Sequence, residues 1–120
     1  MKMAVLTALV VVGLAGPALA ADCTRPSAPT VVDGATATMD QLAGSRKEVG
    51  DFIAASDVYQ ACIIADLGAQ RDAAKAAKTK FDKSLEKAAN AKISENQADK
   101  EKVGTDYNAA VKAYKAAHPG

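Results

Sequence analysis

A helix-start signal and a long apolar stripe occupy residues 38–68, which read TMDQLAGSRKEVGDFIAASDVYQACIIADLG. Thr38 and Gln41 have the spacing of a capping box, in which a hydroxyl and an amide satisfy free backbone donors. Apolar residues then recur at steps of three and four, as on one face of a helix: Met39, Leu42, Val49, Phe52, Ile53, Tyr59, Cys62, Ile63 and Leu67. The pattern predicts a helix over 38–67, with Gly68 as its candidate end.

Two further helical patterns follow. In residues 69–92, small and apolar side chains share one face, and most of the lysines lie elsewhere. Ser94 and Gln97 repeat the capping-box spacing. The clearest stripe of the chain comes next, formed by Val103, Tyr107, Ala110, Val111, Tyr114 and Ala117. These patterns predict helices over 69–92 and 95–117.

The predicted fold is all-α, with a single helical domain over 37–118. A glycine inside a helix costs only about 1 kcal/mol, so two architectures remain open at Gly68. Three helices can form a small antiparallel bundle, or one helix of about 55 residues can turn near Ser94 and form a long helical hairpin with coiled-coil character.

Charge favours the three-helix bundle. Residues 21–67 carry three basic and seven acidic side chains, whereas residues 68–93 carry seven basic and three acidic ones. Segments of opposite sign are expected to lie side by side. The simpler alternative is that both are solvated faces, because exposed ion pairs contribute only about 0–1 kcal/mol each.

The N-terminus has the three parts of a secretory signal peptide. Lys2 is followed by an apolar run from Met3 to Leu14, then by Gly16-Pro17 and a small-residue site at Ala18-Leu19-Ala20. The run is shorter than the roughly 20 residues of a membrane-spanning helix. Residues 1–20 are therefore predicted to be a signal peptide cleaved after Ala20, which makes the protein periplasmic or secreted with no membrane span.

Residues 21–36 form a predicted extended leader because they contain Pro26, Pro29 and a closing Asp33-Gly34. The two cysteines, Cys23 and Cys62, would meet an oxidising compartment after export, so we expect a disulfide between them. The leader can span about 50 Å, and the helix from its start to Cys62 is about 36 Å long, so the bridge is within reach. In the chain-entropy model, such a bridge stabilises the fold by about 4 kcal/mol.

The side chains that catalysis needs are scarce. His118 is the only histidine and lies three residues from the C-terminus. The cysteines lack the paired spacing of a zinc site, and the glycines form no phosphate-binding loop. The carboxylates fit the polar faces of helices. We therefore expect no catalytic residues, no metal and no cofactor, and a mature net charge near zero argues against nucleic acid as a partner.

Two groups of residues are candidates for binding. Aromatic and apolar side chains of the stripes are most simply core residues, but any that stay exposed could receive a partner helix or unfolded segment; they are Phe52, Tyr59, Tyr107, Val111 and Tyr114. The basic residues of segment 71–92 are most simply a solvated face. Their alternative role is to bind an anionic surface, such as lipid headgroups or lipopolysaccharide; they are Arg71, Lys75, Lys78, Lys83 and Lys87.

The chain also resembles small two-cysteine helical periplasmic proteins of proteobacteria that have no assigned activity. The residues that carry this resemblance are Cys23-Thr-Arg-Pro26, Pro29, Asp33-Gly34-Ala35-Thr36, Met39, Val49, Phe52-Ile53, Asp57, Tyr59, Cys62, Tyr107-Asn108 and Ala113-Tyr114-Lys115. It implies a two-cysteine helical fold and periplasmic residence, with no catalytic residues. Together with the stripes, it leads us to expect a non-enzymatic protein that binds an envelope protein, or itself, in an adaptor, envelope-stress or chaperone-like role.

Overall fold

The computed structural model describes residues 23–120, and the predicted signal peptide lies outside this range. Helix α1 spans Met39–Ala76 and helix α2 spans Lys83–Ala117. Residues 23–37 form neither helix nor strand and run alongside the two helices; we call them the extended segment. The described chain is thus all-α, as predicted, and its helices pack against each other as a hairpin.

Helix α1 begins where the capping box predicted. The hydroxyl of Thr38 accepts a hydrogen bond from the backbone N–H of Gln41 at 3.1 Å, and the side-chain oxygen of Gln41 accepts one from the N–H of Thr38 at 2.9 Å. Asp40 lies in the first turn, where the helix dipole stabilises a negative charge. Local chemistry alone therefore sets this boundary.

The prediction of three helices is wrong. Gly68 lies inside α1, which continues for eight residues beyond it to Ala76. The prediction failed because the cost of one helical glycine is small. On the N-terminal side of Gly68, Ile63 and the half-buried Leu67 pack with Ala89 of α2, which holds the helix together at this point.

The chain turns at residues 77–82 instead. Lys78 adopts a left-handed backbone with φ of 55°. The N–H of Lys78 bonds the carbonyl of Lys75, and the N–H of Thr79 bonds the carbonyl of Ala74. This pair of bonds is the Schellman arrangement that ends many helices. Asp82 then starts α2, because its carboxylate accepts the N–H of Ser84 at 2.9 Å.

The second capping-box match is not a helix start either. Ser94 lies within α2, so the predicted break between 92 and 95 and the alternative turn near Ser94 are both wrong. A cap requires an extended backbone at the capping residue. Around Ser94 the helix stays intact because Ile93 packs against Tyr59 and Ile63 of α1 and Asn96 bonds Ser56 of α1.

The contact between the helices follows a regular spacing. The buried residues of α1 recur at alternating steps of three and four, and those of α2 recur every seven residues; they are Leu42, Ser45, Val49, Phe52, Ser56, Tyr59 and Ile63 on α1, and Ala89, Asn96, Val103 and Ala110 on α2. Two apolar clusters result. One contains Val49, Phe52 and Val103, and the other contains Tyr59, Ile63 and Ala89.

A polar layer separates the two clusters. Ser56 and Asn96 are fully buried, and the amide of Asn96 donates to the hydroxyl of Ser56 at 3.1 Å. The Asn96 side-chain oxygen accepts from Gln60 at 2.9 Å. Because every polar atom in this layer has a partner, the layer costs little stability and fixes which residues face each other.

The extended segment packs against both helices. It begins at Cys23, which is bonded to Cys62 of α1, and it runs antiparallel to α1 as far as Thr38. Arg25 forms ion pairs with Glu95 and Asp99 of α2, and Val31 packs on the cluster around Phe52. The half of the hairpin with the start of α1 and the end of α2 therefore has three layers, and the half nearest the turn has two.

Gly34 is the point of closest approach. A Cβ atom at this position would overlap the backbone carbonyl of Ala110 in α2. Nearby, the backbone N–H of Val32 donates to the buried hydroxyl of Ser45 at 3.4 Å. The glycine allows the extended segment to lie directly on the α2 backbone.

Candidate functional site

An exposed, mostly apolar surface lies where the extended segment crosses α1. It forms a shallow groove of about 490 Å³ that we call the apolar patch, lined by Thr24, Pro26, Ala55, Val58, Tyr59 and Cys62. Val58 is its most prominent member, since 71% of this residue is exposed. Apolar side chains exposed in this way cost free energy in water, which burial against a partner would recover.

The disulfide holds the two sides of the patch together. The Cα atoms of Cys23 and Cys62 are 5.6 Å apart, as in an ordinary bridge. The predicted pairing is therefore confirmed. Arg25 anchors the same end of the extended segment to α2, with 2.7 Å between its guanidinium and Asp99; this contact raises the Arg25 pKa above its usual value. Bridge and ion pairs fix the position of Pro26 against α1.

The structure separates the five residues predicted to bind a partner. Phe52 and Tyr59 are buried in different clusters, although Tyr59 also reaches the edge of the patch. Tyr107 is half-buried against the Phe52 cluster, and Val111 and Tyr114 are half-buried farther along α2. The predicted stripe is thus mainly core, the simpler of the two interpretations.

Val58 was missed by sequence reasoning because it lies off the buried stripe of α1. An apolar residue on the polar face of a helix is itself a signal, and Ile64, which is 61% exposed, gives the same one. In residues 23–120, α1 is also the single helix long and apolar enough to cross a membrane, judged by length and composition alone. In the most apolar stretch of 18 residues within α1, 22% of the residues are buried.

A second candidate surface surrounds the turn. Five exposed lysines lie on the last turn of α1, the connection and the first turns of α2; we call them the lysine tip, formed by Lys75, Lys78, Lys80, Lys83 and Lys87. None of these lysines forms an ion pair with a carboxylate of the described chain. Lys80 was not among the predicted binding residues. It belongs to this group because the chain turns between Ala76 and Lys83.

Arg71 does not belong to this free positive surface. Its guanidinium pairs with Glu86 of α2 at 2.9 Å and lies 5.3 Å from the centre of the Phe81 ring. Asp82 caps α2, and its hydrogen bond from Ser84 lowers its pKa. The basic segment therefore contains one arginine with a structural role, the five lysines of the tip, and Lys92 farther along α2.

The third candidate surface is a groove of about 510 Å³ between the extended segment and α2. It is lined by backbone and side chains of residues 29–34 and by small residues of α2, including Ala109 and Ala113. Lys102 and Asp106 pair across one turn at its margin. The groove is lined by charged as well as small side chains, including Asp33, and contains no histidine or thiol.

The described residues offer little chemistry. Across residues 23–120, no three metal-capable side chains come together. His118 stacks on Tyr114, with 4.1 Å between the ring centres, and its Nδ1 lies 3.0 Å from the Tyr114 carbonyl oxygen. The two cysteines are joined, so neither is a free thiol. Of the three surfaces, the apolar patch has the features of a protein contact and the lysine tip those of an anion contact.

No protein-family model matches the chain, and comparisons with curated proteins and with solved structures found no match.

Proposed function

We propose that this protein is an exported, non-enzymatic helical module that binds another envelope protein in an adaptor, envelope-stress or chaperone-like role. The observation that supports the proposal best is the apolar patch, an exposed groove whose two sides are covalently joined. Prior ordering of a binding surface reduces the entropy lost on association. The alternating spacing of buried residues also supports packing of the coiled-coil type in the hairpin.

The partner proposed for the patch is an apolar segment of an incompletely folded or helical protein. A groove lined by Pro26, Ala55 and Val58 offers few hydrogen-bonding side chains, so it suits apolar side chains of many sequences. Broad acceptance of this kind is expected of a chaperone-like protein. Self-association through the same patch is the alternative outcome of the tests below.

Photo-crosslinking in the envelope tests where contact occurs. A photoreactive amino acid at Val58 of the exported chain is expected to give discrete adducts with other proteins, because this side chain is exposed at the centre of the patch. The same amino acid at Glu101, an exposed residue of α2, serves as the control. Equal adduct patterns at both positions, or adducts only between copies of this chain, would contradict binding of another protein.

Aggregation assays test whether the contact has a chaperone-like effect. Under oxidising conditions the protein is expected to slow the thermal aggregation of citrate synthase, and Val58→Asp is expected to remove most of this effect by placing a charge in the patch. Ala98→Asp adds the same charge at an exposed position of α2 and is expected to have little effect. Loss of the effect in both variants would point to charge in general rather than to the patch.

A further inference from the structure

The lysine tip carries positive charge that the rest of the fold leaves uncompensated. Its five lysines are exposed and lie around one connection of the chain. Three acidic residues lie in the same stretch: Glu86 pairs with Arg71, Asp82 caps α2, and Asp72 lies one turn before Lys75. The five lysines therefore outnumber the two carboxylates that have no cationic partner. Of the six other lysines of the described chain, three have a carboxylate partner: Lys47, Lys100 and Lys102. The formal net charge of the whole chain is only +1, so the charge of the tip is a local feature.

The turn keeps these charges close together. Two packed helices have axes about 8–10 Å apart, so the end of the hairpin is about 20 Å wide. The two hydrogen bonds that end α1 and the Asp82 cap of α2 fix the connection between them. The ordered backbone thus presents the five ammonium groups at one end of the molecule.

Apolar side chains lie beside the charges. Phe81 is half-buried in the turn, and Leu85, one turn into α2, is 41% exposed. Lysines next to apolar groups suit the boundary between lipid headgroups and acyl chains. A protein that binds a nucleic acid usually carries a basic stripe along one face. Here the tip lysines are confined to one end of the hairpin.

We propose that the lysine tip docks end-on on an anionic lipid surface, with the lysines contacting phosphate groups and Leu85 at the headgroup boundary. The hairpin then projects away from the lipid. This interaction is independent of the apolar patch, because none of the patch residues lies within the tip.

The test is sedimentation of the oxidised, exported chain with vesicles. Binding to vesicles of phosphatidylglycerol and phosphatidylethanolamine is expected, with much weaker binding to phosphatidylcholine vesicles. A lysine close to an anionic surface contributes about a fivefold gain in binding, so Lys75→Gln/Lys80→Gln/Lys83→Gln is expected to weaken it about a hundredfold. Binding should also fall as salt rises, because charges are screened beyond about 8 Å at physiological ionic strength.

A matched variant controls for net charge. Lys47→Gln/Lys112→Gln/Lys115→Gln removes three exposed lysines near the other end of the hairpin and is expected to change vesicle binding by less than about twofold. Val58→Asp, in the apolar patch, is expected to leave vesicle binding intact. Failure of the vesicle assay and failure of the patch experiments are thus separate results.

Three outcomes would overturn the proposal. The first is equal binding of anionic and phosphatidylcholine vesicles, or equal loss in the two lysine triples. The second is binding of a duplex DNA oligonucleotide with the same lysine dependence in the absence of vesicle binding. The third is release from vesicles by inorganic phosphate beyond that by chloride at equal ionic strength, which would assign the tip to the free anion. Circular dichroism of each variant shows whether it is folded, and the lipid and salt dependence of the unaltered chain tests the proposal without any substitution.

Discussion

Lys78 ends α1 in a conformation that favours glycine. For a residue with a Cβ atom, the left-handed backbone costs about 1 kcal/mol or more. Lys78→Gly is therefore expected to raise the free energy of unfolding by about 1 kcal/mol, and urea denaturation followed by circular dichroism would measure it. Lys75→Gly is the control, because it places glycine inside the helix and is expected to destabilise by a similar amount. Destabilisation by both variants would contradict the left-handed turn.

Asn96 is a fully buried residue whose loss would remove both a hydrogen bond and packing volume. Asn96→Ala leaves the hydroxyl of Ser56 without its donor and opens a cavity, so we expect a loss of about 2–3 kcal/mol in unfolding free energy. Ser56→Ala/Asn96→Leu removes both polar groups and refills the space, and it is expected to recover most of that loss. A double-mutant cycle of Ser56→Ala and Asn96→Leu, each measured alone and together in urea, gives the coupling free energy. Simple additivity of the two sites would show that the polar layer is not formed.

The difference between Thr38 and Ser94 shows the limit of local motifs. Both are followed three residues later by glutamine, but only Thr38 begins a helix. Thr38 follows a segment with two prolines, whereas Ser94 follows an uninterrupted run of helix-forming residues. The true turn at Lys78 has neither glycine nor proline to mark it. The sequence could thus predict the helical class, the start of α1 and the disulfide, but the positions of the turn and of α2 depend on packing between the helices.

The candidate surfaces were predictable only in part for a related reason. A helical stripe indicates which residues are apolar on one face, and burial then removes most of them from contact with a partner, as for Phe52. Val58 gained importance because the extended segment lies beside it. The lysines of segment 71–92 were evident in the sequence, but their grouping at one end of the molecule depends on the turn.

The extended segment is expected to detach if its approach to α2 is blocked. Gly34→Ala would place a methyl group against the Ala110 carbonyl, and overpacking of this kind costs about 1–3 kcal/mol. Gly68→Ala is the control, because a Cβ atom there meets nothing within 4 Å and is expected to stabilise α1 by about 0.5–1 kcal/mol. Thermal unfolding is expected to show a lower Tm for Gly34→Ala and a higher Tm for Gly68→Ala. Equal shifts would show that the segment does not contact α2 at Gly34.

For the whole molecule, the disulfide is expected to supply a large share of the stability. Cys23 and Cys62 close a loop with a sequence separation of 39, so Cys23→Ser/Cys62→Ser is expected to lower the free energy of unfolding by about 4 kcal/mol. Urea denaturation of the variant, compared with the oxidised and reduced native sequence, measures this loss. Reduced protein should resemble the double variant. A native sequence indifferent to reductant would contradict the prediction.

Hydrogen exchange would show which backbone amides lose protection when the disulfide is removed. The N–H of Val32, which bonds Ser45, is expected to exchange faster in the double-serine variant because the extended segment is no longer tied at its first residue. Amides of α1 between Ala69 and Ala76 are expected to change little, since the segment does not reach them. Uniform acceleration along both helices would indicate that the hairpin opens as one unit.

Because α1 continues unbroken through Gly68, it fixes the distance between the apolar patch and the lysine tip. Fourteen residues separate Cys62, beside the apolar patch, from Ala76, where the helix ends. At about 1.5 Å per residue, this length is about 21 Å. A protein held at the patch would therefore stand about 20 Å away from any surface touched by the tip. An insertion of seven residues into each helix between these points keeps the spacing of the buried residues and would lengthen that separation by about 10 Å, without altering either contact surface.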